Sequence, residues 1–129
     1  MEYEPCGTCA HCRYNKGGTP IGTVLVESDG AIHIDTARAA CANLDLSAIP
    51  GTKKILIIAG AHQMTEEAHE MVLKTLEEPP RDSLIILTAD EKRSLPKTVL
   101  SRCHHVYIPG LSAEDRDSCL IDEDKDIIK

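Results

Sequence analysis

The chain has 129 residues and an apolar fraction of 42%, enough for one domain whose core is aliphatic, since Phe and Trp are absent. Its net charge is −7 and acids crowd the C-terminal end, so binding of the isolated chain to duplex DNA is disfavoured. No apolar run approaches the roughly 20 residues that span a bilayer, and the N-terminus lacks the basic and apolar regions of a secretory signal. These features favour a cytoplasmic protein with no membrane partner.

A loop at the start of the chain carries three closely spaced cysteines, Cys6, Cys9 and Cys12. Two-residue spacings let consecutive thiolates face one ion, and a tetrahedral structural zinc needs four ligands. Disulfides are disfavoured because no export signal is present. The cluster therefore predicts a zinc site, with free thiols or an iron–sulfur site as the alternatives. His11, Cys41 and His62 are candidates for the fourth ligand, and nothing in the sequence selects one of them.

The next part of the chain alternates strand and helix patterns. We predict a strand over Thr23–Glu27, a helix that starts at Ile34 and ends before Pro50, and an apolar strand over Ile55–Ala59. In nucleotide-binding α/β proteins, a strand like the last one ordinarily ends in acids that hold the metal and the attacking water. Here it ends in Ala59-Gly60, without an acid.

The alternation continues to the C-terminal end. The predicted elements are a helix capped by Thr65 and stopped by Pro79-Pro80, a strand over Leu84–Thr88, a short helix or turn over Leu95–Ser101, a strand over Val106–Ile108 and a helix from Ser112. Strands that alternate with helices, two of them apolar throughout, predict an α/β fold with a parallel sheet and helices on both faces. The chain contains no G-x-x-x-x-G-K-[ST] phosphate loop.

Two further strings could carry function. Leu73–Pro80 reads L-K-T-L-E-E-P-P, which by itself describes a surface helix with a Lys74–Glu78 ion pair and a proline stop. Leu95–Cys103 contains Arg102, which is either a solvated charge or an arginine finger that reaches the γ-phosphate on a neighbouring subunit. Four other basic residues are interpreted as solvated surface charges: Lys53, Lys54, Lys92 and Arg93.

Four segments in this order resemble the clamp-loader subunits of bacterial DNA polymerase III, which belong to the AAA+ superfamily. They are the cluster Cys6–Cys12, Ile32–Arg38 (similar to the I-x-I-D-x-I-R helix start), the L-K-T-L-E-E-P-P string Leu73–Pro80, and Leu95–Cys103, which ends in S-R-C. The resemblance covers about residues 6–112. It implies a partial AAA+ domain that lacks the strand carrying the phosphate loop.

The resemblance also implies roles for individual residues. Cys6, Cys9 and Cys12 would be ligands of structural zinc, and Arg102 would act in trans on ATP held by the adjacent subunit. The remaining residues that match the family's motifs are Ser101, Cys103, Lys74, Glu77 and Glu78.

The absence of acids at Ala59-Gly60 resembles the delta-prime subunit of this family. That subunit contributes its arginine to a neighbour without hydrolysing ATP in many bacteria. We therefore expect a chain that binds no ATP and is not an enzyme by itself. Its expected partners are the gamma/tau and delta subunits in a hetero-oligomeric ring, and through that ring the sliding clamp and primed DNA. One alternative is a truncated gamma/tau ATPase, and a second is a degenerate zinc-binding remnant without a replication role.

The resemblance divides the chain into three parts. Residues 1–20 form the zinc-binding loop, residues 21–111 the partial ATPase-like domain, and residues 112–129 the start of a helical lid with an acidic tail. The family's fourth cysteine and phosphate loop would lie before Met1, so a truncated subunit is expected. Without the phosphate-loop strand, Leu84–Thr88 and Val106–Ile108 would each have an unpaired edge. The isolated chain should then be weakly stable, or these two strands should pair with each other.

Overall fold

A computed structural model describes residues 6–9, 12–13, 22–45 and 53–110. The candidate ligand His11 and the predicted helix after Ser112 lie outside the described residues. Within the described part, no helix is both long and apolar enough to cross a bilayer.

The described part of the chain is built around a parallel sheet of three strands in the order β1-β2-β3. The strands are β1 (Thr23–Val26), β2 (Lys54–Ile58) and β3 (Ser83–Leu87). Each strand is β-branched or aliphatic almost throughout, which suits a pleated, largely buried surface. Both pairings are parallel and in continuous register, so the carboxyl ends of the three strands meet at one edge of the sheet. These strands confirm three of the four predicted ones.

Three α-helices in the described ranges connect or follow the strands: α1 (Ile34–Asp45), α2 (Glu66–Glu77) and α3 (Lys97–Leu100). The Thr65 hydroxyl accepts a hydrogen bond from the Ala68 backbone N–H at 3.3 Å, as predicted for an N-cap. At the other end of α2, the Glu78 N–H still donates to a helical carbonyl. The next residue is a proline without an N–H, so the helix cannot continue.

Both long helices pack on the same face of the sheet. Alternate residues of β2 point into this interface, and Leu56 and Ile58 are fully buried. The core between the layers is aliphatic, as the composition requires; its buried members are Val26, Ile32, Ala37, Ala40, Cys41, Leu44, Leu56, Ile58, Ala61, Met64, Ala68 and Val72. A bridge between Ile32 and Met64 joins the segments that lead into α1 and α2.

The opposite face of the sheet differs from the prediction. Leu25, Leu84 and Ile86 are 46%, 48% and 39% exposed, although a continuous apolar strand normally indicates cover on both faces. Leu25 and Ile86 flank Ile57 across the three strands, so the exposed side chains form one apolar surface. Helices on both faces were predicted, and within the described part of the chain only one face is covered.

The predicted last strand, Val106–Ile108, is absent from the sheet. These three residues are extended without strand pairing, and between 82% and 86% of each is exposed. A strand forms only where a neighbour supplies hydrogen-bonding partners, and here the edge of β3 and this segment do not pair. The prediction of a fourth strand is therefore wrong, as is the suggestion that these two segments close on each other. The weak stability expected for such an unpaired edge stays a prediction.

Lys54 is also placed differently from the prediction. Its side chain is buried, and the Nζ ammonium donates to the backbone carbonyls of Asn43 and Leu44 at 3.2 and 3.3 Å. These are among the last carbonyls of α1, which have no partner within the helix and lie at the negative end of its dipole. Lys54 therefore caps α1 from the start of β2 and is not a solvated surface charge.

Candidate functional site

Arg102 lies directly after α3, on a turn that the neighbouring helix holds in place. Val99 of α3 is fully buried, and α3 packs against α2. The turn is closed by backbone hydrogen bonds, including one from the Arg102 N–H to the Val99 carbonyl at 3.1 Å. The Ser101 hydroxyl donates to the Thr98 carbonyl at 2.9 Å. The buried Val99 side chain thus fixes α3 against α2, and Arg102 lies at the surface just after it.

The Arg102 guanidinium makes three polar contacts. Its Nη2 lies 2.6 Å from Oε1 of Glu77, the last residue of α2. Its Nη1 donates to the Thr98 carbonyl at 2.9 Å and to the Ser101 hydroxyl at 3.2 Å. The Arg102 side chain is 35% exposed and that of Glu77 is 49% exposed. The fold therefore joins the L-K-T-L-E-E-P-P string and the S-R-C string through one ion pair.

The other motif residues do not take part in the ion pair between Glu77 and Arg102. Lys74 and Glu78 are exposed, and within the described part of the chain the ion pair suggested for them is not formed. Cys103 is half-buried, and burial raises the pKa of its thiol. The pairing of Glu77 with Arg102 was not foreseen from the sequence, because the residues lie on different elements.

The three cysteines of the N-terminal cluster converge on one point. The Sγ atoms of Cys6, Cys9 and Cys12 all lie within 4.8 Å of one another, and those of Cys6 and Cys12 are 3.7 Å apart. A tetrahedral zinc with Zn–S distances of about 2.3 Å places its sulfur atoms about 3.8 Å apart. The spacing of these thiols therefore fits a metal ion of this kind.

Backbone donors around the cluster also suit thiolates. The Cys9 N–H lies 3.4 Å from the Cys6 Sγ, and the Cys12 N–H lies 3.4 Å from the Cys9 Sγ. The backbone N–H groups of Thr8 and Cys9 lower the pKa of Cys6 to about 6, because they stabilise the thiolate. The adjacent Cys9 thiol raises the pKa of Cys12, as expected when neighbouring thiols compete for negative charge. A bound cation would remove this competition.

The described residues supply three ligands to the cluster. Cys41 lies in the aliphatic core, and His62 lies beside Asp90 beyond the end of β2; neither belongs to the group of converging ligand atoms. Of the three candidates for a fourth ligand, these two are therefore excluded as the cluster is arranged here.

The acid-free end of β2 is a structural turn. Gly60 has φ +71° and ψ +46°, in the left-handed region that favours glycine. Its N–H donates to the Thr88 hydroxyl at 3.1 Å, and the Ala61 N–H donates to the Thr88 carbonyl at 2.7 Å. A Cβ at position 60 would come within 3.3 Å of the Gln63 side chain. A carboxylate at this position would therefore strain the backbone.

An open cavity of about 420 Å³ lies at the carboxyl ends of the strands. In parallel sheets, this edge is where ligands ordinarily bind. Its lining contains three acids and no Lys or Arg; the lining residues are Glu27, Ser28, Asp29, Ala59, Gly60, His62, Gln63 and Asp90. These acids follow β1 and β3 and were not singled out in the sequence, because they sit in turns without a recognisable spacing. The three carboxylates give the cavity an acidic lining.

The fold and the cysteine cluster define an α/β protein that resembles a clamp-loader domain. A crystal structure of a DNA polymerase III gamma subunit-related protein from Thermotoga maritima superimposes with a TM-score of 0.66 at 31% identity, covering 74% of this chain and 32% of that one. The family model described as "DNA polymerase III, delta subunit" matches residues 1–112. The chain belongs to this clamp-loader family of DNA polymerase III.

Curated relatives include several kinds of subunit. The delta' subunit of Bacillus subtilis (strain 168) is 31% identical over 122 residues, covering 94% of this chain and 37% of the relative. The tau subunit of Escherichia coli (strain K12) is 28% identical over 110 residues, covering 85% of this chain and 17% of the relative. The chain thus spans well under two thirds of these relatives.

The cysteine cluster leads to a prediction about metal content. We expect protein purified without chelators to contain about one zinc per chain, and Cys9→Ser to lose most of it, because zinc needs all available thiolates for a closed site. Cys103→Ser, which lies outside the cluster, is the matched control and should keep its zinc. Elemental analysis of the purified proteins measures this. Wild-type protein without metal, or a Cys9→Ser variant that retains it, would contradict the assignment.

Proposed function

We propose that this chain acts as a delta-prime-like, non-hydrolysing subunit of a bacterial DNA polymerase III clamp loader. In this role Arg102 would complete the ATP site of a neighbouring subunit. The observation that carries the proposal is the placement of Arg102: its side chain is 35% exposed, and hydrogen bonds and one carboxylate hold its guanidinium in place.

The chemistry asked of Arg102 is electrostatic. During transfer of the γ-phosphoryl group, negative charge spreads over its oxygens and towards the leaving group. A guanidinium brought to these oxygens from the next subunit stabilises that charge and needs no covalent step. A fixed, partly exposed arginine is suited to this task, because little reorganisation is needed when the neighbour binds.

The carboxyl ends of the strands support the absence of ATP hydrolysis by the chain itself. The turn at Ala59-Gly60 carries no acid, and Gly60 has a backbone conformation that disfavours one. The cavity beside it is lined by three carboxylates and contains no Lys or Arg. Both features disfavour a bound triphosphate and the water-activating base that hydrolysis requires.

The remaining parts of the proposal follow from the family. Cys6, Cys9 and Cys12 would hold a structural zinc that fixes the N-terminal loop. The partners would be gamma/tau-type and delta subunits in a cytoplasmic ring, which acts on the sliding clamp and on primed DNA. The chain would contribute to the ring an arginine and a folded scaffold.

A gamma/tau-type ATPase is the second candidate, favoured by the similarity to tau and gamma subunits. Ala59-Gly60 weighs against it, because residues added elsewhere in the chain would not restore the acids at this turn.

The test combines the chain with a gamma/tau-type ATPase subunit and a delta subunit. We expect the chain alone to bind no ATP in equilibrium dialysis, and to increase ATP hydrolysis when it is added to the other two subunits. Saturable ATP binding by the chain alone would contradict the delta-prime-like assignment. Failure to join the other subunits in size-exclusion chromatography would contradict both and favour the zinc-binding remnant.

A further inference from the structure

We infer that Glu77 is a positioning residue that orients the Arg102 guanidinium for its action on the neighbouring subunit. This inference rests on the proposed function of Arg102. It gives the L-K-T-L-E-E-P-P string a role beyond ending a helix. The two residues meet because α3 packs against the C-terminal part of the sheet-covering helix α2, which brings the Arg102 turn beside Glu77.

The hydrogen bonds of Arg102 leave part of the guanidinium available. An arginine has five N–H donors in a rigid plane. Nη1 uses its two on the Thr98 carbonyl and the Ser101 hydroxyl, and Nη2 uses one of its two on Glu77. One Nη2–H and the Nε–H have no partner among the described residues. The group is thus held on one side, and donors remain for a phosphate oxygen.

The three contacts come from two different elements. Thr98 belongs to α3 and Ser101 follows it directly, so both are in the same local segment as Arg102, and they restrain Nη1. Glu77 belongs to α2 and contacts Nη2, which limits rotation of the whole guanidinium plane about the Cδ–Nε bond. Without Glu77 the side chain would keep contacts to its own turn only. Fixing the plane in advance lowers the entropy lost when the phosphate is engaged.

Glu77 is suited to this role rather than to a role in stability. The pair is substantially exposed, with exposed fractions of 35% for the Arg102 side chain and 49% for that of Glu77. Exposed ion pairs contribute little to folding because water screens them and side-chain entropy opposes them. Substitutions of Glu77 should therefore leave the fold intact. Glu70 offers a matched control, since it is an exposed glutamate on the same helix.

The first experiment measures the guanidinium itself and is independent of any ATPase. In the full chain labelled with ¹⁵N, relaxation of the Arg102 Nε–H should report a restricted side chain. We expect Glu77→Ala to lower its order parameter clearly, Glu77→Gln to lower it less, and Glu70→Ala to leave it unchanged. An Arg102 side chain that is equally mobile in wild type and Glu77→Ala would overturn the inference, whatever Arg102 does in the complex.

The second experiment measures ATP hydrolysis by the reconstituted subunits. We expect Glu77→Ala to lower kcat roughly 10- to 100-fold with KM unchanged, because misplacement of a catalytic group affects the transition state more than the bound substrate. Glu77→Gln should be intermediate and Glu70→Ala unchanged. If Arg102→Ala lowers kcat and Glu77→Ala does not, positioning by Glu77 is wrong. If Arg102→Ala has no effect, the proposed function fails, and the relaxation result still decides whether Glu77 holds the side chain.

Discussion

Arg102→Ala is expected to lower ATP hydrolysis by the reconstituted subunits by about 10³-fold or more, with little change in assembly. Arginine fingers supplied in trans contribute roughly 10³ to 10⁵ in kcat, because they meet charge that develops in the transition state. Arg102 lies on the surface and contributes to the fold only through an exposed ion pair and contacts to its own turn. Its removal should therefore cost the reaction far more than it costs stability.

Two further variants make this result specific. Arg102→Lys keeps the charge but loses the planar fork, so it should recover only a small part of the rate. Arg93→Ala removes another exposed arginine, on the preceding short helical turn, and should have no effect. The measurement is steady-state turnover in the presence of primed DNA and the clamp, with assembly checked by size-exclusion chromatography. Normal turnover by an assembled Arg102→Ala complex would contradict the proposed function.

Leu56→Ala is expected to lower the free energy of unfolding by about 2 to 5 kcal/mol, the range for a fully buried leucine whose site cannot collapse. Leu56 lies on the central strand, is completely buried, and pairs in register with Val24 and Ile85. Domains of this size have only about 5 to 15 kcal/mol of stability in total, so the loss should shift the transition markedly. Urea denaturation followed by circular dichroism measures it.

Leu25→Ala is the matched control, because it makes the same substitution on the opposite face of the same sheet. Leu25 is 46% exposed, so its truncation should cost less than about 1 kcal/mol. Equal losses for the two variants would mean that the second face is covered in solution.

A cooperative transition of the wild-type monomer at high temperature would contradict the weak stability expected from the unpaired edge of β3.

Much of the fold follows from local sequence patterns. The apolar runs that became β2 and β3 are bounded by turn residues, and the hydroxyl of Thr65 caps α2 where its spacing predicted. These features depend on the chain nearby, so they can be recognised without knowledge of the tertiary structure. The cysteine cluster is local as well, since two-residue spacings suffice to bring its sulfur atoms together.

Other features depend on distant partners and were missed. Val106–Ile108 has the composition of a strand, but a strand needs a neighbour, and no described segment pairs with it. Lys54 looks like a surface charge in sequence, and only the position of the end of α1 shows why it is buried. The open face of the sheet is another case, because a continuous apolar run indicates burial without saying where the cover comes from.

The sequence by itself determined the family, the order of the three strands and of the helices between them, and the separate strings that carry the cysteines, Glu77 and Arg102. Residues close together in the sequence specify these features, so they can be recognised without the tertiary structure. The tertiary structure decided that Glu77 and Arg102 form an ion pair, and that the acid-free turn at Gly60 is bound to Thr88. The packing of α3 on α2 sets the distance between Glu77 and Arg102, and the parallel register of β2 and β3 sets the distance between Gly60 and Thr88. Neither distance can be inferred from the separation of the residues along the sequence.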